Sequence, residues 1–91
     1  MPSANATESE IRDWCIASVA RIVSDPSIAV EPEITFAQMG LDSASLAYFI
    51  VELEDWFGIE LDLEVVADHP TIAAVARHLI ARQGESDAGT G

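Results

Sequence analysis

The sequence predicts an all-α protein: a small four-helix bundle of three longer helices and one short one, with a long loop between the first and second helices. Three observations carry that expectation. Apolar residues recur at three- and four-residue spacing in three stretches, the period of one helical face. Each stretch opens on a side-chain oxygen able to cap free backbone N–H groups and closes at a proline or a glycine. The one alternating segment, Glu60 to Val66, has no second such segment to pair with, and a lone strand does not stand by itself.

The totals bound the rest. Ninety-one residues, nearly half of them apolar, make one small domain and not a disordered tail. We expect the domain over residues 7–83, between a frayed terminus at 1–6 and a disordered tail at 84–91. No apolar run approaches the roughly 20 residues that span a bilayer, and the N-terminus MPSANATESE has no basic, apolar signal pattern. Cys15 is alone, so no internal disulfide forms, which fits a reducing cytoplasm. These features predict a discrete cytoplasmic monomer, neither in nor on a membrane.

Charge is distributed unevenly. Sixteen acids stand against four arginines and no lysine, for a formal net charge of −12. The arginines are Arg12, Arg21, Arg77 and Arg82, so the middle of the chain carries acids alone. Such a segment repels nucleic acid and steers basic partners toward itself. The competing reading is that the acids only keep a small protein soluble.

The first helix starts at a Thr7-x-x-Glu10 capping box and buries Ile11, Cys15, Val19 and Ile22, with Trp14 at the flank. Cys15 is core filler on this reading, since no basic residue lies beside it at helical spacing. Ser24-Asp25-Pro26 ends the helix, because the residue before proline disfavours the α region. The connection from Asp25 to Leu41 is long for a compact domain, but Ile28, Val30, Ile34, Phe36, Met39 and Leu41 can pin it to the bundle. Thr35 and Gln38 repeat the capping-box spacing, which suggests a single turn ending at Gly40.

The second helix is expected at Ser43–Phe57, with Leu46, Phe49, Ile50, Leu53 and Phe57 as its core face. Either Asp42 or Ser43 caps it. A serine at that junction is exposed and lies in the positive field of a helix N-terminus, a place suited to an anionic phosphate. The opposite face carries Ala44, Ala47, Tyr48, Val51 and Asp55. A solvent stripe should be polar, so this second apolar stripe is either covered by the chain itself or a docking surface rimmed by acids. Docking is the reading we carry forward.

The Glu60–Val66 segment is expected to be extended and to pass into a short helix near Leu63–Ala67. Glu60, Asp62 and Glu64 lack the glycine and the full oxygen set of a calcium loop, so they read as a solvated face. Asp68-His69-Pro70-Thr71 is a stop-start signal in which Thr71 caps the last helix. There Ile72, Val75, Ala76, Leu79 and Ile80 point inward, and Gly84 is the expected end.

Hydrolytic chemistry finds no support. Ser43 is not in a Gly-x-Ser-x-Gly elbow, no sheet is predicted, and a chain this small has little room for oxyanion donors. His69 and His78 have no third ligand nearby in sequence, so no metal site is expected, and His69 reads as a turn residue or partner contact. We expect no catalytic residues and no enzyme.

Taken together, Gly40-Leu41-Asp42-Ser43, the amphipathic helix, Phe57-Gly58-Ile59 and Asp68-His69-Pro70-Thr71 resemble an acyl or peptidyl carrier protein, over about residues 8–82. The resemblance implies that Ser43 carries a 4′-phosphopantetheine arm as a phosphodiester, attached by a separate phosphopantetheinyl transferase. The arm's thiol would then hold acyl, malonyl or aminoacyl groups as thioesters. It also implies that Asp42 is the acidic residue before the serine, engaged by the transferase or by partner arginines. Partners would read the second and third helices, with Leu41, Ala44, Ala47, Tyr48, Val51, Asp55 and Glu64 as the docking residues. Those partners would be an acyltransferase, an acyl- or aminoacyl-loading ligase and ketosynthase-type enzymes with basic, apolar docking surfaces. GLDS and DHPT are closer to carriers of polyketide and mixed peptide–polyketide pathways than to those of primary fatty-acid synthesis. Two positions depart from the family pattern: Ala44 where leucine is common, and Tyr48 where an acid is common. The rival reading is a non-catalytic acidic adaptor, even a nucleic-acid mimic, in which Ser43 is only a helix cap.

Overall fold

The computed structural model describes residues 7–23 and 25–90, with 84–90 given by backbone alone. The expectations for residues 1–6 fall outside it. Four helices follow one another: α1 (Glu8–Val23), α2 (Ser43–Phe57), α3 (Glu64–Asp68) and α4 (Ile72–Thr90). α1 packs on both α2 and α4.

α1 begins where its capping box predicts. Glu10 N–H donates to Thr7 Oγ1 at 3.1 Å while Thr7 N–H donates to Glu10 Oε1 at 2.8 Å, so two otherwise orphaned donors are satisfied reciprocally. Ile11, Cys15 and Val19 are fully buried, and Ile22 packs at the margin of the core. Burial pushes the Cys15 thiol up to about 12, so it stays neutral at any physiological pH. Ser18, which the apolar pattern did not single out, is also fully buried. Its hydroxyl donates to Glu52 Oε1 at 2.9 Å, and Arg21 lies 3.7 Å from the same oxygen, so a polar link ties α1 to α2.

The long loop is held by both its apolar side chains and its backbone. Phe36, Met39 and Leu41 are buried, with Ile28, Val30 and Ile34 packed against the cluster. Thr35 and Gln38 form the second capping box: Gln38 N–H reaches Thr35 Oγ1 at 3.1 Å and Thr35 N–H reaches Gln38 Oε1 at 3.2 Å. The turn closes at Gly40, whose φ of 86° is the left-handed region where a Cβ is disfavoured. Two further bonds stitch the loop to the start of α4, Phe36 N–H to Pro70 O at 2.9 Å and Ala73 N–H to Pro32 O at 2.8 Å. The loop therefore reaches α2 from a fixed direction.

α2 buries Phe49, Ile50 and Leu53, while Leu46 and Phe57 pack at the margin. It ends at Gly58, with φ 83° and its N–H donating to Glu54 O at 2.8 Å, the usual glycine stop. Leu61 N–H then donates to Glu54 Oε2 at 2.8 Å, holding the extended segment against α2. α3 starts one residue later than expected because Asp62 Oδ1 accepts from Glu64 N–H at 3.0 Å and organises the turn before it. Val65 and Val66 are its buried residues.

α4 is capped by Thr71, whose Oγ1 accepts from Ala74 N–H at 3.1 Å. It buries Ile72, Ala73, Val75, Ala76 and Leu79, with Ile80 at the margin. The helix passes through Gly84 to Thr90, beyond the expected stop. A glycine inside a helix costs about 1 kcal/mol relative to alanine and ends it only if it turns left-handed, as Gly58 does. No described helix is long and apolar enough to cross a membrane.

Candidate functional site

The loop delivers its last residues to the N-terminus of α2. Leu41 is buried, and its N–H donates to Phe36 O at 3.1 Å, which anchors the backbone one residue before the cap. Asp42 then turns to an extended conformation, φ −95° and ψ −176°, and its Oδ1 accepts from Ser45 N–H at 2.9 Å. That contact answers the question left open between the two candidates. Asp42 is the cap. Hydrogen bonds from Ser45, backbone first and side chain second, hold the Asp42 carboxyl below its ordinary range, so it is an anion at neutral pH.

Ser43 is therefore the first helical residue, and its hydroxyl has no part in the cap. The side chain is exposed. Beside it runs a groove of ≈ 200 Å³ between α2 and α3, lined by Ser43, Leu46, Leu63, Val66 and Ala67. An exposed primary hydroxyl at the positive end of a helix, with an acid held one residue before it, fits covalent attachment of a phosphate-linked group.

The outward face of α2 is not covered by any described part of the chain. Tyr48 is 57% and Val51 61% exposed, and Ala44 and Asp55 are exposed with them, while Ala47 is half-buried. Tyr48, Val51 and Asp55 line a shallow hollow with Glu52, Glu54 and Glu60, so the apolar centre has a strongly acidic rim. Glu64 is exposed at the start of α3, next to Leu63 at 46% exposure. Leu41 is the exception among the expected docking residues. It belongs to the core and not to this face, because the backbone bond to Phe36 turns it inward.

His69 lies in the turn between α3 and α4, as expected. Its ring stacks on that of His78 across the α3–α4 junction, with centroids 4.5 Å apart and planes 26° from parallel. Sequence spacing of nine positions gave no hint of this contact, since the turn at Pro70 brings the two together. No group of three or more metal-ligating side chains forms among the described residues.

The family model for the phosphopantetheine attachment site matches residues 13–79, well over half of the chain. The chain belongs to the phosphopantetheine-attachment family of carrier proteins. The cofactor of that family is 4′-phosphopantetheine. The carrier is similar to the acyl carrier protein TtuC of Teredinibacter turnerae, 21% identical over 76 residues that cover 84% of this chain and 87% of the relative. It is also 35% identical over 72 residues to the erythronolide synthase EryA2 of Saccharopolyspora erythraea, a match that takes in 77% of this chain but 2% of the synthase. Among solved structures it resembles a free-standing peptidyl carrier protein from an uncharacterised secondary metabolic pathway of Acinetobacter baumannii, with a TM-score of 0.76 and 27% identity, covering 84% of this chain and 95% of the other. The fold is shared with BlmI, a type-II acyl carrier protein of Streptomyces verticillus involved in bleomycin biosynthesis, at a TM-score of 0.75 and 21% identity over 82% and 88% of the two chains. Membership of the carrier family, together with a cap made by Asp42, sets aside the adaptor in which Ser43 only caps a helix.

Proposed function

We infer that Ser43 is the attachment residue and that this carrier presents thioester intermediates to the enzymes of a polyketide or related secondary-metabolite pathway. The observation that carries the reading is the division of labour at the head of α2: Asp42 caps the helix, and the adjoining exposed hydroxyl is left out of the cap. When bound, 4′-phosphopantetheine supplies a terminal thiol on a long flexible chain, which carries an acyl, malonyl or aminoacyl group as a thioester. The protein's own residues do the positioning. The N-terminus of α2 offers its positive end to the phosphodiester, and the buried Phe36, Met39 and Leu41 keep that end rigid. Asp42, held as an anion, is a contact for a basic residue of the phosphopantetheinyl transferase.

The chain performs no bond-making of its own on this reading. The covalent steps belong to its partner enzymes, and Ser43 serves as the point of attachment. Tyr48 and Val51, ringed by Glu52, Glu54, Asp55 and Glu60, fit a partner whose docking surface is apolar at its centre and basic around it. Acyltransferases, acyl- or aminoacyl-loading ligases and ketosynthase-type enzymes of such pathways are the partners proposed, with the carrier acting as a cytoplasmic monomer. The pathway assignment is supported by the likeness to part of EryA2 and to the Acinetobacter baumannii carrier.

The test is intact-protein mass spectrometry after incubation with coenzyme A and a broad-specificity phosphopantetheinyl transferase. Wild type should gain the mass of one phosphopantetheinyl group, and Ser43→Ala should gain nothing. A gain retained in Ser43→Ala would place the attachment elsewhere.

A further inference from the structure

α3 is the shortest helix, and its place shapes the surface beside Ser43. Leu63, Val66 and Ala67 make up the α3 side of the ≈ 200 Å³ groove that Ser43 lines. Five residues are too few to hold a helix by their own hydrogen bonds, so α3 depends on what it packs against. Asp62 Oδ1 organises its start, and Val65 and Val66 are buried in its middle. At its end, His69 N–H donates to Val65 O at 2.8 Å, and the His69 ring stacks on His78 of α4 with centroids 4.5 Å apart. The α4 side of this junction is fixed to the long loop, by Phe36 N–H to Pro70 O at 2.9 Å and Ala73 N–H to Pro32 O at 2.8 Å. The ring stack therefore ties a short helix to a firm support.

Both rings are half-buried. Neutral imidazoles stack as other aromatic rings do. Two imidazolium rings at 4.5 Å instead oppose like charges, at a distance where the repulsion counts even near a protein surface. The surroundings do little to offset it. Asp68 adjoins His69 in the chain, and Glu31 and Glu33 flank Pro32 on the loop. Among the described residues no hydrogen bond or ion pair joins any of these acids to the His69 ring. On α4, Arg77 adjoins His78 and Arg82 follows one turn later, so that side adds positive charge. α1 also packs on α4, but its Glu8 and Arg12 pair with each other at 3.6 Å, its Arg21 lies 3.7 Å from Glu52, and its Asp13 is exposed.

We propose that the His69–His78 stack is a proton-sensitive latch, which holds α3 on α4 while the imidazoles are neutral and releases α3 when both become charged. Release moves the α3 wall of the groove beside Ser43. Histidine is the side chain whose charge changes between about pH 5 and 8. The released state accepts a proton that the stacked state opposes, so the latch is complete at high pH and is lost as pH falls through that range. The bearing of the latch on a bound arm rests on Ser43 being the attachment residue.

Amide hydrogen exchange of the full chain, without the arm and corrected for intrinsic rates, tests the latch. Protection of the Ala67 and His69 amides should fall about tenfold between about pH 7.5 and about pH 5.5, as uptake of one further proton on release allows. The Leu53 amide in α2 should keep its protection. His78→Phe retains a ring but no titration, and its α3 amides should stay protected at both pH values. His78→Ala removes the ring and should leave them, at the higher pH, as exposed to exchange as wild type is at the lower. Four results would overturn the latch: α3 protection independent of pH in wild type, an equal fall at Leu53, a fall that persists in His78→Phe, or wild-type protection in His78→Ala. Should His78→Ala lose protection at Leu53 as well, the wild-type and His78→Phe measurements decide. Attachment at Ser43 is read separately, by the transferase assay, and stands or falls on its own.

Discussion

The two faces of α2 are built from similar residue types and serve opposite ends. Inward, Phe49, Ile50 and Leu53 meet Phe36, Trp14 and the rest of the core, and all three are buried. Outward, Ala44, Tyr48 and Val51 are as apolar in composition, yet they remain exposed. Hydropathy alone does not separate the faces. What separates them is their border: acids surround the outward face, while the inward residues join the apolar core cluster. Burial of the first stabilises the fold, whereas exposure of the second leaves apolar area whose burial becomes available on partner binding.

Substitutions should break this symmetry in a graded way. Leu53→Ala, on the inward face, removes a fully buried side chain and should lower the unfolding free energy by about 2–5 kcal/mol, read from a urea transition. On the outward face, Tyr48→Ala should leave stability within about 0.5 kcal/mol of wild type. The same change should weaken docking to a ketosynthase-type partner about tenfold, which is about 1.4 kcal/mol. Equal stability losses at Leu53 and Tyr48 would contradict the division. At the end of the helix, Gly58→Ala adds a Cβ that meets nothing within 4 Å, so only the left-handed backbone opposes it. A stability loss of about 1–2 kcal/mol should follow, with no effect on attachment at Ser43.

The smallest effect is the pH dependence of the cap. The Asp42 carboxyl sits below its ordinary value of 3.8 in the folded state. Its contribution is therefore fully present above that value and is lost as pH falls through the lower folded one. Asp42→Asn keeps a capping oxygen without the titration, so its acid unfolding limb should be shallower than that of wild type. Identical limbs would mean that the anion adds nothing beyond the neutral cap.

Much of this architecture was legible in the sequence because its signals are local. Thr7 with Glu10, Thr35 with Gln38, and Thr71 each place a helix or turn start by contacts within one turn of chain, and each forms as its spacing predicts. The head of α2 was legible to within one residue: its Asp-Ser pair indicated a cap without saying which of the two makes it. What escaped depends on tertiary contact. Ser18 is polar and reads as surface, but it is buried because Glu52 of another helix accepts its hydroxyl. Leu41 reads both as an apolar pin of the loop and as a docking residue, and its burial decides for the first. His69 meets His78 because the chain reverses at Pro70.

The central claim is that Asp42 caps α2 and Ser43 is thereby left for attachment. Ser43→Ala tests it most directly when its thermal unfolding and its mass after transferase treatment are measured on the same preparation. The account predicts an unchanged melting temperature and no phosphopantetheinyl mass gain. A melting temperature lowered as by a lost cap, with the mass gain retained, would contradict it.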